Sequence, residues 1–275
     1  FMADLKRNKI NKFNINCLEL AFQQAKINLG CTKTNPSVGC VVEKNGSIIS
    51  TGSTSINGRP HAEYNALNLK KDFKDCTLYV TLEPCNHFGK TPPCVKSIIK
   101  SKIKKVFYSI EDFDLRTTGK SENILRKNKI IVKKYILKSK GNDFYKSHEL
   151  RNKKKIPLVD AKLAISKDFF TVNKKNKWIT NKESRLRGQY YRSTYDCLIS
   201  TSNSINKDNS SLDCRLKGLE HKSPDIIIID RFFKIKKNLR LFKSHLNRKI
   251  KILTISKNKK KISFFKKKKI DVISL

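Results

Sequence analysis

TLYVTLEPCNHFGKTPPC, residues 77–94, decides the fold of the region around it. Its first six residues are β-branched, aromatic or aliphatic and carry no charge, so Thr77–Leu82 is predicted as a central strand. An acid, a proline and a cysteine follow at once, and the closing Pro-Pro-Cys opens a helical pattern from Pro93 to Ile99. Upstream, His61–Leu69 reads as a helix. Val38–Val42 reads as a buried strand that pairs with Ile48–Thr51 across the Lys44-Asn45-Gly46 turn. Asn16–Leu29 sets Leu18, Ala21, Phe22, Ala25 and Leu29 at helical spacing and stops at Gly30. Downstream, Val106–Ile110 is another strand. Helical and strand patterns therefore alternate, which predicts an α/β sandwich with some parallel pairing.

The whole chain has 275 residues, enough to bury a real core in one large or two modest domains. A boundary is predicted between Asn142 and Ile156, where Lys153-Lys154-Lys155 precedes Pro157, giving domains 1–150 and 151–275. In the second, Leu158–Ile165 has a strand pattern and Thr180–Tyr191 a helical one, with Thr180 as N-cap and Glu183 completing a capping box. Strand signals return at Cys197–Ser200, Ile226–Ile229 and Ile250–Ile255. Lys257–Lys269 is Lys-rich without an acid and reads as a solvated or poorly ordered connection.

Lys and Arg total 61 against 23 Asp and Glu, a formal charge of +38. Such basicity suggests a nucleic-acid partner or an anionic surface, but Lys, Asn and Ile are heavy along the whole length, a chain-wide drift rather than one basic patch. The longest aliphatic run, Ile226–Ile229, is far short of the roughly 18–20 residues of a membrane span. No apolar stretch follows the basic N-terminal residues, so no secretory signal is expected and a cytoplasmic, reducing setting is. The eight cysteines are then thiols or metal ligands rather than a disulfide framework.

The chemistry lies in His61-Ala62-Glu63, Glu83-Pro84-Cys85 and Cys94. One imidazole and two thiolates supply three ligands for Zn²⁺, which prefers tetrahedral four-coordination, so His61, Cys85 and Cys94 leave one position for water. A carboxylate two residues after the histidine, Glu63, can take the proton of that acidified water without ligating the metal. Both cysteines are expected at helix starts, where unpaired N–H groups favour thiolate. His87 is the candidate for a fourth protein ligand, which would make the metal structural.

An H-x-E followed by P-C and a further Cys is the signature of zinc-dependent base deaminases, usually with P-C-x-x-C. Here eight residues separate Cys85 from Cys94. With that spacing, residues 81–94 together with His61-Ala-Glu63 and Asn35-Pro-Ser-Val-Gly39 closely resemble the bifunctional riboflavin-biosynthesis deaminase/reductase family (RibD). The resemblance implies a cytidine-deaminase-like three-layer α/β/α domain followed by an incomplete dihydrofolate-reductase-like α/β domain. It implies hydrolytic deamination of 2,5-diamino-6-(5-phosphoribosylamino)pyrimidin-4-one to 5-amino-6-(5-phosphoribosylamino)uracil. Zinc on His61, Cys85 and Cys94 would activate the water, and Glu63 would shuttle the proton. Asn35 matches a family position near the ligand, and Lys90 lies in the inter-cysteine loop, where a substrate phosphate could be met.

The family continues into an NADPH-dependent reductase that opens the ribose. Lys162-Leu-Ala164, Lys167-Asp168, Trp178-Ile-Thr180, Arg192 and Ser204-x3-Asp208-x3-Leu212-x2-Arg215 line up in order with its motifs. The resemblance places Ala164, Trp178, Ser204 and Asp208 at an NADP site and turns Arg192, Leu212 and Arg215 toward substrate, where two guanidiniums suit a phosphate. Core packing is the competing reading of Trp178 and Leu212. Ser166-Lys167-Asp168-Phe169 stands where the family has Ser-Leu-Asp-Gly, Arg231 occupies a small polar position, and no glycine follows Gly218, where the family has Glu-x-Gly. These departures predict a truncated or decayed reductase half, leaving open a homo-oligomer or a separate reductase chain. Two other readings stand beside this one: a tRNA or nucleoside base deaminase, disfavoured by the inter-cysteine spacing, and a decayed basic binding module, disfavoured by the intact His61, Glu63, Cys85 and Cys94.

Overall fold

All six residues of β3, Thr77–Leu82, are buried, as a strand flanked by partners on both sides requires. The structure, a computed structural model, describes residues 10–69, 71–89, 91–171, 178–243 and 248–275. Lys90 lies outside the described residues. The chain divides into two compact units, 1–160 and 161–275.

In the first unit, α1 (Lys12–Lys26) precedes the hairpin of β1 (Gly39–Lys44) and β2 (Ser47–Ser53), then come α2 (Ala62–Leu67), β3, α3 (Cys94–Lys100) and β4 (Lys105–Ile110). The unit ends with α4 (Ser121–Lys127), β5 (Ile131–Lys133), α5 (Lys138–Phe144) and α6 (Lys146–Lys154), the last containing residue 150, where the first domain was expected to end. The sheet order is β2-β1-β3-β4-β5. β1 runs antiparallel to β2 and β3, while β3, β4 and β5 are parallel. Asn11 caps α1 by accepting the Asn14 N–H, and the apolar stripe Leu18, Ala21, Phe22 and Ala25 is fully buried.

Two glycines fix the layers. A Cβ on Gly39 would lie 1.9 Å from the carbonyl oxygen of Ala21 in α1, and one on Gly52 would lie 2.2 Å from that of Ala62 in α2. Gly52 pairs with Cys40, the residue after Gly39, so the two glycines point to opposite faces of the sheet. α1 and α2 therefore cover opposite faces, and the unit is a three-layer α/β/α sandwich. Gly141 sets α5 against Ser109 and Ile110 of β4.

The second unit holds α7 (Lys182–Thr194), β6 (Cys197–Thr201), α8 (Ser202–Asp208), β7 (Asp225–Ile229), β8 (Ile250–Thr254), α9 (Lys259–Lys267) and β9 (Asp271–Ser274). The four strands form one parallel sheet in sequence order. Ile226, Ile228, Ile250 and Ile252 bury one face against Ile205, Leu241 and Phe265.

Three local expectations for this half need correction. Leu158–Ile165 forms no strand: Val159 is 71% and Leu163 74% exposed, because an apolar run makes a strand only where a ladder partner takes its N–H and C=O groups. The N-cap of α7 is Asn181, whose side chain accepts the Ser184 N–H at 2.9 Å, and not Thr180. Lys257–Lys269 is not a loose connection, since Asn258 caps α9 and Phe265 packs fully buried against Phe233 and Phe242. No helix among the described residues is long and apolar enough to cross a membrane.

Gly39→Ala forces a methyl into the α1 backbone and should lower unfolding stability by about 2 kcal/mol or more. Gly46→Asn, in an open turn at φ +83° that Asn tolerates, should change it little; urea unfolding of the two variants checks the contrast.

Candidate metal centre and its pocket

The two helices that bracket β3 each begin at a candidate ligand. His61 is the N-cap of α2, and Cys94 is the first residue of α3. Cys85 leaves the carboxyl end of β3 two residues after Glu83 and is not at a helix start. It is drawn in from α3 instead: the Cys94 N–H donates to its Sγ at 3.3 Å and the Val95 N–H to its carbonyl at 3.2 Å. His61 Nδ1 then lies 3.5 Å from Cys85 Sγ and 3.4 Å from Cys94 Sγ, with all three donor atoms within 4.8 Å of one another. Tetrahedral zinc with Zn–N near 2.0 Å and Zn–S near 2.3 Å separates such atoms by about 3.6 Å, so the donors fit this ion. His87 does not join them. Its Nδ1 pairs with the Thr117 hydroxyl at 3.0 Å, and the metal-capable group among the described residues is His61, Cys85 and Cys94.

The charges interlock. Cys85 is pulled well below the usual thiol range, first by its hydrogen bond with Cys94 and then by His61, while the same bond and burial push Cys94 up. His61 is raised, foremost by its bond to Cys85. Glu63, in the first turn of α2 and 4% exposed, is pushed up to about 7 by burial and by the negative charge of Cys85. A carboxyl at that value exchanges a proton readily near neutrality.

His61, Glu63 and Cys85 line a cavity of about 200 Å³. Asn35 also lines it and is anchored by donating to the Gly58 carbonyl at 2.8 Å. Several lining residues escaped sequence reasoning: Arg59, Asp112, Asp114, Arg116, His148, Arg151 and Asn152. Asp112 alone had a readable signal, since it follows the carboxyl end of a parallel strand, where α/β sheets place ligands. Glu83 is the staple between the metal loop and this wall. Its carboxylate accepts the N–H groups of Asp112 (3.2 Å), Gly119 (2.9 Å) and Ser121 (3.0 Å), while the Ser121 hydroxyl donates to the Pro84 carbonyl at 2.6 Å.

Residues 12–110 match the family described as the cytidine and deoxycytidylate deaminase zinc-binding region, so zinc is the ion this centre suits. The riboflavin biosynthesis protein RibD of Actinobacillus pleuropneumoniae is 33% identical over 267 residues, covering 94% of this chain and 69% of that protein. The chain belongs to the RibD family. The diaminohydroxyphosphoribosylamino-pyrimidine deaminase of Buchnera aphidicola subsp. Schizaphis graminum is 41% identical over 138 residues, 50% of this chain and 94% of that protein. The crystal structure of a Thermotoga maritima deaminase/reductase superposes with a TM-score of 0.81 at 31% identity, covering 90% of this chain and 71% of that one. The chain spans 58–69% of the first curated RibD relatives it matches.

In the second unit, the residues that the RibD resemblance assigns to substrate do converge. Arg192 Nη1 donates to the Asp213 carbonyl at 2.9 Å, Arg215 Nε lies 3.6 Å from the Asp213 carboxylate, and Leu212, at φ +54°, packs on the core beside them. Arg248, unnoticed in the sequence, donates to the Leu212 carbonyl at 2.9 Å. Burial lowers the pKa of both Arg192 and Arg248, with repulsion from Arg215 adding to it at Arg192 and repulsion from Arg192 at Arg248. Of the residues assigned to NADP, Ser204 and Asp208 share α8, one turn apart. Ala164 lies in the segment ahead of α7, and Trp178 is 57% exposed under the Arg185 guanidinium. Phe169 sits at φ +66°, a left-handed conformation natural to the glycine the family carries there and strained for a bulky side chain.

Glu83→Ala strands three N–H groups and should cost about 3 kcal/mol of stability. With the Cys85 loop released, zinc affinity should fall about tenfold or more; unfolding and zinc competition titrations check the two effects.

Proposed function

We propose that residues 1–160 catalyse the zinc-dependent hydrolytic deamination of 2,5-diamino-6-(5-phosphoribosylamino)pyrimidin-4-one to 5-amino-6-(5-phosphoribosylamino)uracil, a step of riboflavin biosynthesis. The observation that carries this reading is a buried carboxyl, Glu63, poised beside three donors that suit one open-sided zinc ion at the end of a polar cavity. The name of the Buchnera relative, which this chain covers almost completely, supports the same substrate.

Zinc held by His61, Cys85 and Cys94 would supply Lewis acidity that makes a water nucleophilic near neutral pH. The chain's own groups handle the protons. Glu63 takes one from the water as its oxygen adds to the ring carbon bearing the exocyclic amine, and passes it to the departing nitrogen, which leaves as ammonia. Asn35, fixed by Gly58, orients the pyrimidine. Arg59, anchored by the Thr91 hydroxyl at 2.5 Å, and Arg151, anchored by the Thr34 carbonyl, bring positive charge to the cavity for the substrate's phosphate.

For residues 161–275 we propose no ribosyl reduction by this chain alone, since Phe169 fills the family's glycine turn. The free thiols fit a reducing, cytoplasmic setting.

Glu63→Gln should retain stoichiometric zinc while ammonia release from the diaminopyrimidine falls at least about 100-fold in kcat/KM. Near-normal turnover would remove Glu63 from the proton path, and wild-type turnover of a nucleoside or tRNA instead would replace the substrate. NADPH oxidation with the deaminated product, followed in the same assay, should be absent.

A further inference from the structure

α6 lies beyond the matched zinc-binding region, which ends at residue 110, yet one face of it forms a wall of the cavity through His148, Arg151 and Asn152. The spacing i, i+3, i+4 puts these side chains together on one side of the helix. Two of them tie separate loops of the pocket to α6. Arg151 donates to the carbonyl of Thr34, next to Asn35, and His148 Nε2 lies 2.9 Å from Asp112 Oδ1.

The His148 ring is set from behind. The Asn152 amide nitrogen lies 3.2 Å from His148 Nδ1 and 2.9 Å from the His148 carbonyl, a donor that makes Nδ1 the acceptor and leaves the proton on Nε2. Phe113 flanks the imidazole at 6.0 Å between ring centroids. Asn152, His148 and Asp112 thus form a directed chain of hydrogen bonds that ends on a buried carboxylate.

That carboxylate is half used. Oδ1 accepts from His148 and from the Asp114 N–H at 3.0 Å, whereas Oδ2 accepts no hydrogen bond from any described residue, although Asp112 is 8% exposed and lines the cavity. Oδ2 is not sealed off from the cavity, and a diaminopyrimidinone carries amino and ring N–H donors that suit an open carboxylate oxygen. We propose that His148 is a positioning residue for the deamination: it fixes the rotation of the Asp112 carboxylate so that Oδ2 stands ready for the pyrimidine's N–H groups. The inference rests on the deaminase reading above. It makes α6 part of the pocket's recognition machinery rather than only the end of the unit.

The test uses the full zinc-loaded chain and steady-state ammonia release from the phosphoribosylaminopyrimidine. His148→Phe keeps a ring against Phe113 but loses both nitrogens, and His148→Gln restores a donor near the Nε2 position. His148→Phe should raise KM about tenfold with kcat within about threefold, and His148→Gln should recover most of that loss. Zinc stoichiometry and thermal midpoint should match wild type in both. His148→Phe added to Asp112→Asn should be no worse than Asp112→Asn alone. An unchanged KM in His148→Phe, additive effects in the double variant, or equal loss of zinc or stability in both His148 variants would overturn the proposal while wild-type turnover stands. Absence of wild-type ammonia release would remove the deaminase reading and this inference with it.

Discussion

Three donor atoms that share no element of secondary structure, His61 Nδ1, Cys85 Sγ and Cys94 Sγ, meet within 4.8 Å, and the first unit is organised so that they do. Two of them sit at helix starts, where free N–H groups favour negative charge, and the third is held by a backbone N–H from the same turn of α3. Two thiols and an imidazole at this distance cannot hold all their protons comfortably. The depressed Cys85, raised Cys94 and raised His61 are three aspects of that conflict, which a divalent cation relieves. Glu63 shares the same enclosure and is pushed up first by burial and then by the negative charge of Cys85.

The surrounding fold transmits this constraint outward through buried polar groups. Glu83 binds the loop after β4 to the loop after β3, so the wall that carries Asp112 and Asp114 is in register with the metal loop. On the other face, the hydroxyls of Thr81 and Tyr145 lie 2.5 Å apart, and Tyr145 also donates to the Ser37 carbonyl at 3.1 Å. The junction of α5 and α6 is thereby fixed to β3 and to the segment before β1. α6 can serve as a pocket wall because that anchor holds its start.

The central sheet and the donor set were legible in the sequence because both are local signals: β-branched runs bounded by turns, and residue types at set spacing. β3 and the start of α3 follow from such signals, and so do His61, Glu63, Cys85 and Cys94. The pairing of His148 with Asp112 was not legible, because it spans 36 residues and His148 carries no local motif, while Asp112 had only its place after the carboxyl end of β4 to mark it. Glu83 was seen as part of a motif, but its work depends on three N–H groups far along the chain. In the second unit the misreadings share one cause, judging a segment without its neighbours. Lysines masked the amphipathic helix around Phe265, and the strand pattern at Leu158–Ile165, which runs across the boundary into the second unit, has no ladder to support it. The charge of +38 contributed little to locating the site, although it supplies the cavity with Arg59 and Arg151.

Zinc K-edge X-ray absorption on the purified, unliganded protein reads the coordination shell of the metal itself. A shell of two sulfurs near 2.3 Å, one imidazole nitrogen and one further light atom near 2.0 Å is the predicted result, three protein ligands with one position left for water. A shell with a second imidazole or a third sulfur, or one without sulfur, would contradict it, because the open position on which hydrolytic deamination depends would then not exist at His61, Cys85 and Cys94.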